Sequence, residues 1–243
     1  MDSNIIFVAL YSYLDKNKYT ESEIIAEIKK CYKKGASIVH FHVNKVVNGV
    51  EGFLNILKKI EEYDIVVAIS LSDYELIKDK EIKNKCTVSL HASSCYVFNN
   101  KIIQEYEDVE NKIKEYLKNG FIPELSIFNK EGIENAIKLN NKYAGKFIAS
   151  VYLGYPNELE VSIETIRDVC SKLKKCNLVS IAIYNNNNLD YTEEIIKNNA
   201  IIRVGLEDSM YNGNKLAKNN VEILDTVNNL TKKLNRKIIK IGE

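Results

Sequence analysis

Eight short apolar runs alternate with amphipathic stretches along this chain, and that alternation limits the fold more than any single motif does. The runs lie at 5–10, 37–42, 65–70, 86–91, 124–128, 147–152, 179–184 and 200–205. Each has strand length and most are rich in β-branched residues. The stretches between them carry apolar residues at helical spacing. The first opens with Thr20-Glu21-Ser22-Glu23, a threonine followed three residues later by a glutamate, which is a capping-box signature. Ile24, Ile25, Ile28, Cys31 and Tyr32 then share one face, and Gly35 marks the helix end. The same reading places helices through Phe53/Leu54/Leu57/Ile60, Val109/Ile113/Leu117, Ile133/Ala136/Ile137, Ile163/Ile166/Val169/Leu173 and Val221/Leu224/Val227/Leu230/Leu234.

Strict βα alternation implies a parallel sheet. Eight units in 243 residues favour a closed (β/α)8 TIM barrel, expected as a single α/β domain over 1–243. An open doubly wound sheet is the alternative. The chain has no GxGxxG and no P-loop, which weakens a nucleotide-binding reading of that alternative. A formal net charge of +1 gives no electrostatic case for nucleic acid or an acidic membrane as partner. No apolar run approaches the roughly 18 residues of a spanning helix. Met1-Asp2-Ser3-Asn4 lacks the form of a signal peptide. The five cysteines are odd in number and show no CxxC spacing, the usage of reduced thiols in a cytoplasmic protein.

Only three histidines occur, and two of them are His40-Phe41-His42 at the end of a β-branched run. Residues i and i+2 of a strand point to the same face, so this spacing sets two imidazoles side by side. Each ring has a nitrogen that needs a partner, and a divalent metal supplies one to both. In a barrel the strand C-termini converge on one rim, which carries the active site. His91 closes another strand-like run, and Arg203-Val204-Gly205-Leu206-Glu207-Asp208 follows the last one. Arg203 and Glu207 share a face if the strand continues that far, and Gly205 between them admits a close approach.

A site follows from these residues. His40, His42 and Glu207 make a two-histidine, one-carboxylate metal site with positions left for substrate. Asp208 is the candidate general base, and Arg203 holds it ionised or binds a substrate anion. His91 is read as a substrate contact rather than a ligand. Cys95 lies near it, but no base-and-orienter set accompanies the thiol, so a nucleophilic role is set aside.

These segments match a family pattern. Residues 35–43, Gly-Ala-Ser-Ile-Val-His-Phe-His-Val, and 202–208, Ile-Arg-Val-Gly-Leu-Glu-Asp, resemble the two signature segments of the β-keto acid cleavage enzymes. Ile122-Pro123-Glu124-Leu125-Ser126-Ile127-Phe128 is similar to that family's Pro-Glu-Leu strand, and Ser89-Leu90 to its fourth-strand segment. The resemblance implies a zinc-dependent (or other divalent-metal) barrel that converts a small β-keto acid and acetyl-CoA, its co-substrate, into acetoacetate and a new acyl-CoA. It implies His40, His42 and Glu207 as metal ligands, Arg203 and Asp208 as the catalytic pair, and a homo-oligomer, expected as a tetramer.

The chain departs from the family at the rim. Val43-Asn44-Lys45 stands where an Arg-Asp pair usually follows the second histidine. Asp15 takes the place of a glutamate after the first strand, one position out of register. Ser70-Leu71-Ser72-Asp73-Tyr74 replaces a Ser/Thr-Gly-Gly-like turn, and the polar residue after Ser89-Leu90 becomes His91. The substrate-binding candidates are therefore Asp15, Ser72, Ser89 and His91, with Lys45 or His91 at the polar end of the substrate. Two other readings stay open: a barrel metal-hydrolase using metal-bound water, and a catalytically degenerate family member that binds a metal or metabolite.

Overall fold

The computed structural model describes residues 3–11, 16–82, 85–97, 100–156, 158–184 and 189–241. Eight parallel strands close into a barrel. They are β1 Ile6–Ala9, β2 Ala36–His40, β3 Val66–Ile69, β4 Cys86–His91, β5 Ile122–Ile127, β6 Ile148–Leu153, β7 Leu178–Ile183 and β8 Ile201–Val204. Each pairs with the next in sequence, and β8 pairs with β1. All eight fall within or overlap the apolar runs of the sequence.

The helices are α1 Glu21–Lys33, α2 Gly49–Lys59, α3 Leu71–Ile77, α4 Tyr106–Lys118, α5 Lys130–Tyr143, α6 Ile163–Lys172, α7 Leu189–Lys197 and α8 Asn220–Lys233. The Thr20 capping box forms as expected, with Thr20 Oγ1 accepting from Glu23 N–H and the Glu23 carboxylate accepting from Thr20 N–H. Helices α3 and α7 add to those expected. No helix of the described residues is long and apolar enough to cross a membrane.

Two buried layers result. One is the shell between strands and helices, fed by residues such as Val8, Val39, Val67 and Leu125. The other is the barrel interior, where Phe7, Ile38, Val66, Ala68, Ile148 and Ile201 meet. Strand periodicity then dictates what stands above that floor. Two residues on from Ile38 is His40, two on from Ile122 is Glu124, and two on from Ile201 is Arg203. The interior therefore changes from apolar to polar within one layer, toward the strand C-termini.

Two local details differ from expectation. Strand β2 stops at His40, and His42 lies beyond it with extended backbone (φ −96°, ψ 144°), opening a single 3-10 turn Val43–Lys45. The extended backbone keeps the two rings neighbours although the strand has ended. Strand β8 stops at Val204, so Glu207 does not arrive by strand parity. A turn centred on Gly205 (φ +138°) carries it, with the Asp208 and Ser209 N–H groups both donating to the Gly205 carbonyl.

Gly205 packs onto the end of β1, where a Cβ would meet the Ala9 carbonyl oxygen. Positive φ and that backbone contact both exclude a side chain. Gly205→Ala is expected to cost more than about 2 kcal/mol of folding stability, read as a lowered urea midpoint. An unchanged midpoint would contradict the tight turn.

Candidate active site

His40 and His42 present their Nε2 atoms to each other at 3.2 Å. Their Nδ1 atoms explain why neither can donate across that gap as a neutral ring. His40 Nδ1 lies 2.8 Å from the Ala68 carbonyl oxygen, which can only accept. His42 Nδ1 lies 2.9 Å from Asp73 Oδ2. Asp73 also accepts from Val43 N–H at 3.1 Å and from Ser70 Oγ at 2.7 Å. Burial would raise its pKa, but these bonds with His42 and Ser70 outweigh it and keep the carboxyl low. In its neutral form each ring thus holds its proton on Nδ1 and turns an Nε2 lone pair inward.

Glu207 completes the cluster. Its Oε1 lies 3.3 Å from His40 Nε2 and 3.7 Å from His42 Nε2. Its Oε2 is buried without a hydrogen-bond partner among the described residues. The three ligand-type atoms lie within 4.8 Å of one another. Two lone pairs and a carboxylate aimed at one point form a donor set that fits a divalent cation. The surroundings draw positive charge to that point. Burial works against a charged His42, but Asp73 and Glu207 outweigh it and push its pKa up to about 9. Burial likewise opposes ionised Glu207, and the two histidines hold its carboxyl well below the usual range.

Arg203 stands beside this cluster, 5% exposed. Its Nε and Nη2 donate to the two oxygens of Asp208 at 3.0 and 3.1 Å. Its guanidinium also lies 3.7 Å from Glu207 Oε1 and 3.8 Å from Glu124 Oε1. Phe7 and Tyr152 flank it, with ring centroids 4.6 and 5.1 Å from Cζ. Burial pushes the Asp208 carboxyl up from its ordinary value, against the pull of Arg203.

A cleft of about 580 Å³ opens above these groups, with His40, His42, Glu124, Arg203 and Glu207 on its floor. Ser72, Ser89 and His91, three of the substrate-binding candidates of the sequence, line it. Two placements differ from that reading, and a third residue cannot be compared with it. Asp208 is not among the lining residues and stands behind the Arg203 guanidinium. Lys45 is buried away from the cleft, 5% exposed. Asp15 lies outside the described residues. His91 is outside the ligand cluster, its Nδ1 being 3.6 Å from Cys95 Sγ. The Cys95 thiol is pushed up to about 12, chiefly by burial, and so keeps its proton.

Two site residues escaped the sequence reading. Asp73 orients His42, and its signal was the Ser70-x-x-Asp73 spacing of a helix start, where Ser70 caps α3. Glu124 is 1% exposed, accepts from Thr87 Oγ1 at 3.0 Å and faces Arg203. Its signal was an acidic residue inside an apolar strand at inward parity.

The family model of beta-keto acid cleavage enzymes matches residues 17–243. The chain belongs to the β-keto acid cleavage enzyme family. Among its relatives, the 3-keto-5-aminohexanoate cleavage enzyme of Acetoanaerobium sticklandii is 26% identical over 243 aligned residues, covering 93% of this chain and 88% of the relative. The enzyme of the same name from Fusobacterium nucleatum subsp. nucleatum is 25% identical, over 90% of this chain and 86% of its own. Among solved structures, 3-keto-L-gulonate-6-phosphate decarboxylase from Vibrio cholerae superposes with a TM-score of 0.55 at 7% identity, over 94% of this chain and 99% of that one. That likeness shows the barrel. Membership makes the chain an enzyme of the β-keto acid cleavage type at family level.

Arg203 neutralises its carboxyl neighbours from inside the barrel. Arg203→Met should cost about 3–5 kcal/mol in urea denaturation, because Asp208 and Glu124 then stay buried without their cation. A loss below about 1 kcal/mol would show that other groups carry that charge.

Proposed function

We propose that this protein is a zinc-dependent β-keto acid cleavage enzyme that exchanges acyl groups with acetyl-CoA. The observation that carries the reading is the pair of Nε2 lone pairs 3.2 Å apart, both aimed with Glu207 at one point on the cleft floor. His40, His42 and Glu207 would hold the metal. Asp73 and the Ala68 carbonyl would fix the two imidazoles through Nδ1. Zinc, or another divalent ion there, supplies Lewis-acid polarisation of the substrate keto group.

The remaining chemistry falls to the chain. Arg203 lines the cleft and takes the substrate carboxylate. Engaging that carboxylate loosens the two-point bond to Asp208 and frees an oxygen to take the α-proton. The carboxyl raised by burial is suited to that task, since a base with an ordinary aspartate pKa holds a proton too weakly. The α-carbon then attacks the acetyl carbonyl of acetyl-CoA and the CoA thiolate leaves. That thiolate attacks the original keto carbonyl, and the old carbon–carbon bond breaks with its electrons on the α-carbon. Asp208 returns its proton to that carbon, so acetoacetate and a new acyl-CoA result and the base is regenerated. Phe128, Tyr152 and Tyr155 wall the cleft and keep water from the thioester.

The proposal has separable tests. His40→Ala/His42→Ala protein should lose its zinc by elemental analysis, and full occupancy would remove the ligand assignment. Asp73→Asn should weaken zinc about 10- to 100-fold in a competitive chelator titration, since the His42 ring loses its orienting carboxylate. Asp208→Asn should keep zinc but lose at least about a hundredfold in turnover. Wild-type protein that holds zinc yet yields no acetoacetate from acetyl-CoA and any small β-keto acid would overturn the reaction.

A further inference from the structure

His91 sits one layer outside the reacting floor. On β4, Thr87, Ser89 and His91 share the inward face, at about 7 Å per two residues. Thr87 bonds Glu124 within the floor, Ser89 lies above it, and His91 reaches the rim. A substrate whose keto group lies at the floor therefore brings its distal end, not its reacting carbon, to His91.

The ring's hydrogen-bonding sense follows from Cys95. A thiol is a weak donor and its sulfur a weaker acceptor, whereas an imidazole lone pair accepts well. The buried Cys95 S–H therefore points to Nδ1, at 3.6 Å, and the ring proton sits on Nε2. Nε2 has no partner among the described residues, on a side chain that lines the cleft. Phe128 packs against the ring with centroids 5.6 Å apart, and Phe128 itself stacks on Tyr152. Burial lowers the His91 pKa, so the imidazole is neutral.

The charges of the cleft complete the argument. Among the described lining residues the acidic and basic side chains other than His91 are on the floor, in the cluster of His40, His42, Glu124, Arg203 and Glu207. None stands at the rim to balance a distal ammonium or carboxylate. A neutral N–H donor framed by aromatic rings suits an uncharged oxygen acceptor.

Resting on the β-keto acid reading above, we propose that His91, oriented by Cys95, is the specificity-determining residue of this enzyme and selects β-keto acids whose distal substituent is an uncharged hydroxyl or carbonyl. A neutral N–H donor offers nothing to the ammonium group of the acid named in its relatives.

The test compares 3-ketohexanoate, 5-hydroxy-3-ketohexanoate and 5-amino-3-ketohexanoate on zinc-loaded protein. Binding is measured by calorimetry, so the result does not depend on turnover. The hydroxy acid should bind at least about tenfold tighter than the unsubstituted acid, and the amino acid no tighter than the unsubstituted one. In His91→Phe the hydroxy preference should fall to within about twofold. ¹⁵N NMR of the histidine rings should show His91 with its proton on Nε2 in wild type, and a shift toward the Nδ1–H form in Cys95→Ala.

Equal affinities, a preference for the amino acid, or a preference that survives in His91→Phe would each overturn the assignment. So would a uniform weakening of all three acids in His91→Phe, which would put the shared carboxylate at His91 instead. An Nδ1–H ring in wild type would refute the role given to Cys95. If the binding order holds but no acid is turned over with acetyl-CoA, the reaction proposed above fails and the recognition stands.

Discussion

The site depends on one buried guanidinium. Arg203 is 5% exposed, and three carboxyl groups, those of Glu124, Glu207 and Asp208, lie within 4 Å of it. Bringing an arginine into a barrel interior is costly unless its donors are satisfied and its charge is matched. Here the match is overdone, because one cation faces three acids and Asp73 adds a fourth behind His42. The excess of negative charge lies on the histidine side. A divalent ion held between His40, His42 and Glu207, as proposed, would resolve it, and the two inward Nε2 atoms would give that ion its donors. Arg203 and the metal position are in this sense one electrostatic unit, shared through Glu207.

The barrel explains how residues far apart in sequence form this unit. Three strands pass from an apolar to a polar interior-facing residue within two positions, as Ile38 to His40, Ile122 to Glu124 and Ile201 to Arg203. The apolar floor excludes water from below, which strengthens every interaction above it. Gly205 then does what a strand cannot. Its positive φ and contact with Ala9 reverse the chain at once, so that Glu207 faces the histidines while Asp208 turns back onto Arg203.

The parts of this arrangement legible in the sequence are those set by periodicity. All eight strands, six helices and the pairing of His40 with His42 follow from repeats of two and 3.6 residues. Helix α3 was missed because seven residues make two turns, too few to establish a period. Helix α7 was missed because its buried face includes Thr192 and Glu194 beside Ile195 and Ile196. Asp73 and Glu124 were missed for a different reason: their spacing marks a helix start and an inward strand position, but not the His42 ring or the Arg203 guanidinium that each carboxylate meets in the fold. The placement of Asp208 behind Arg203 likewise depends on a turn, where strand parity no longer applies.

Floor and rim are supported by different kinds of element. His40, Glu124 and Arg203 project from strands whose register is set by the hydrogen-bond ladder, and His42 and Glu207 follow directly after two of those strands. The rim is built from loops and short elements: the antiparallel pair Cys95–Val97 and Asn100–Ile102, the start of α3 and the turn after His42. The departures from the family pattern fall there. Lys45 is buried away from the cleft and His91 lines it, and a change at either position need not move His40, His42 or Glu207. A barrel can alter its substrate in this way because the reacting layer and the recognising layer are one strand pleat apart and supported by different elements.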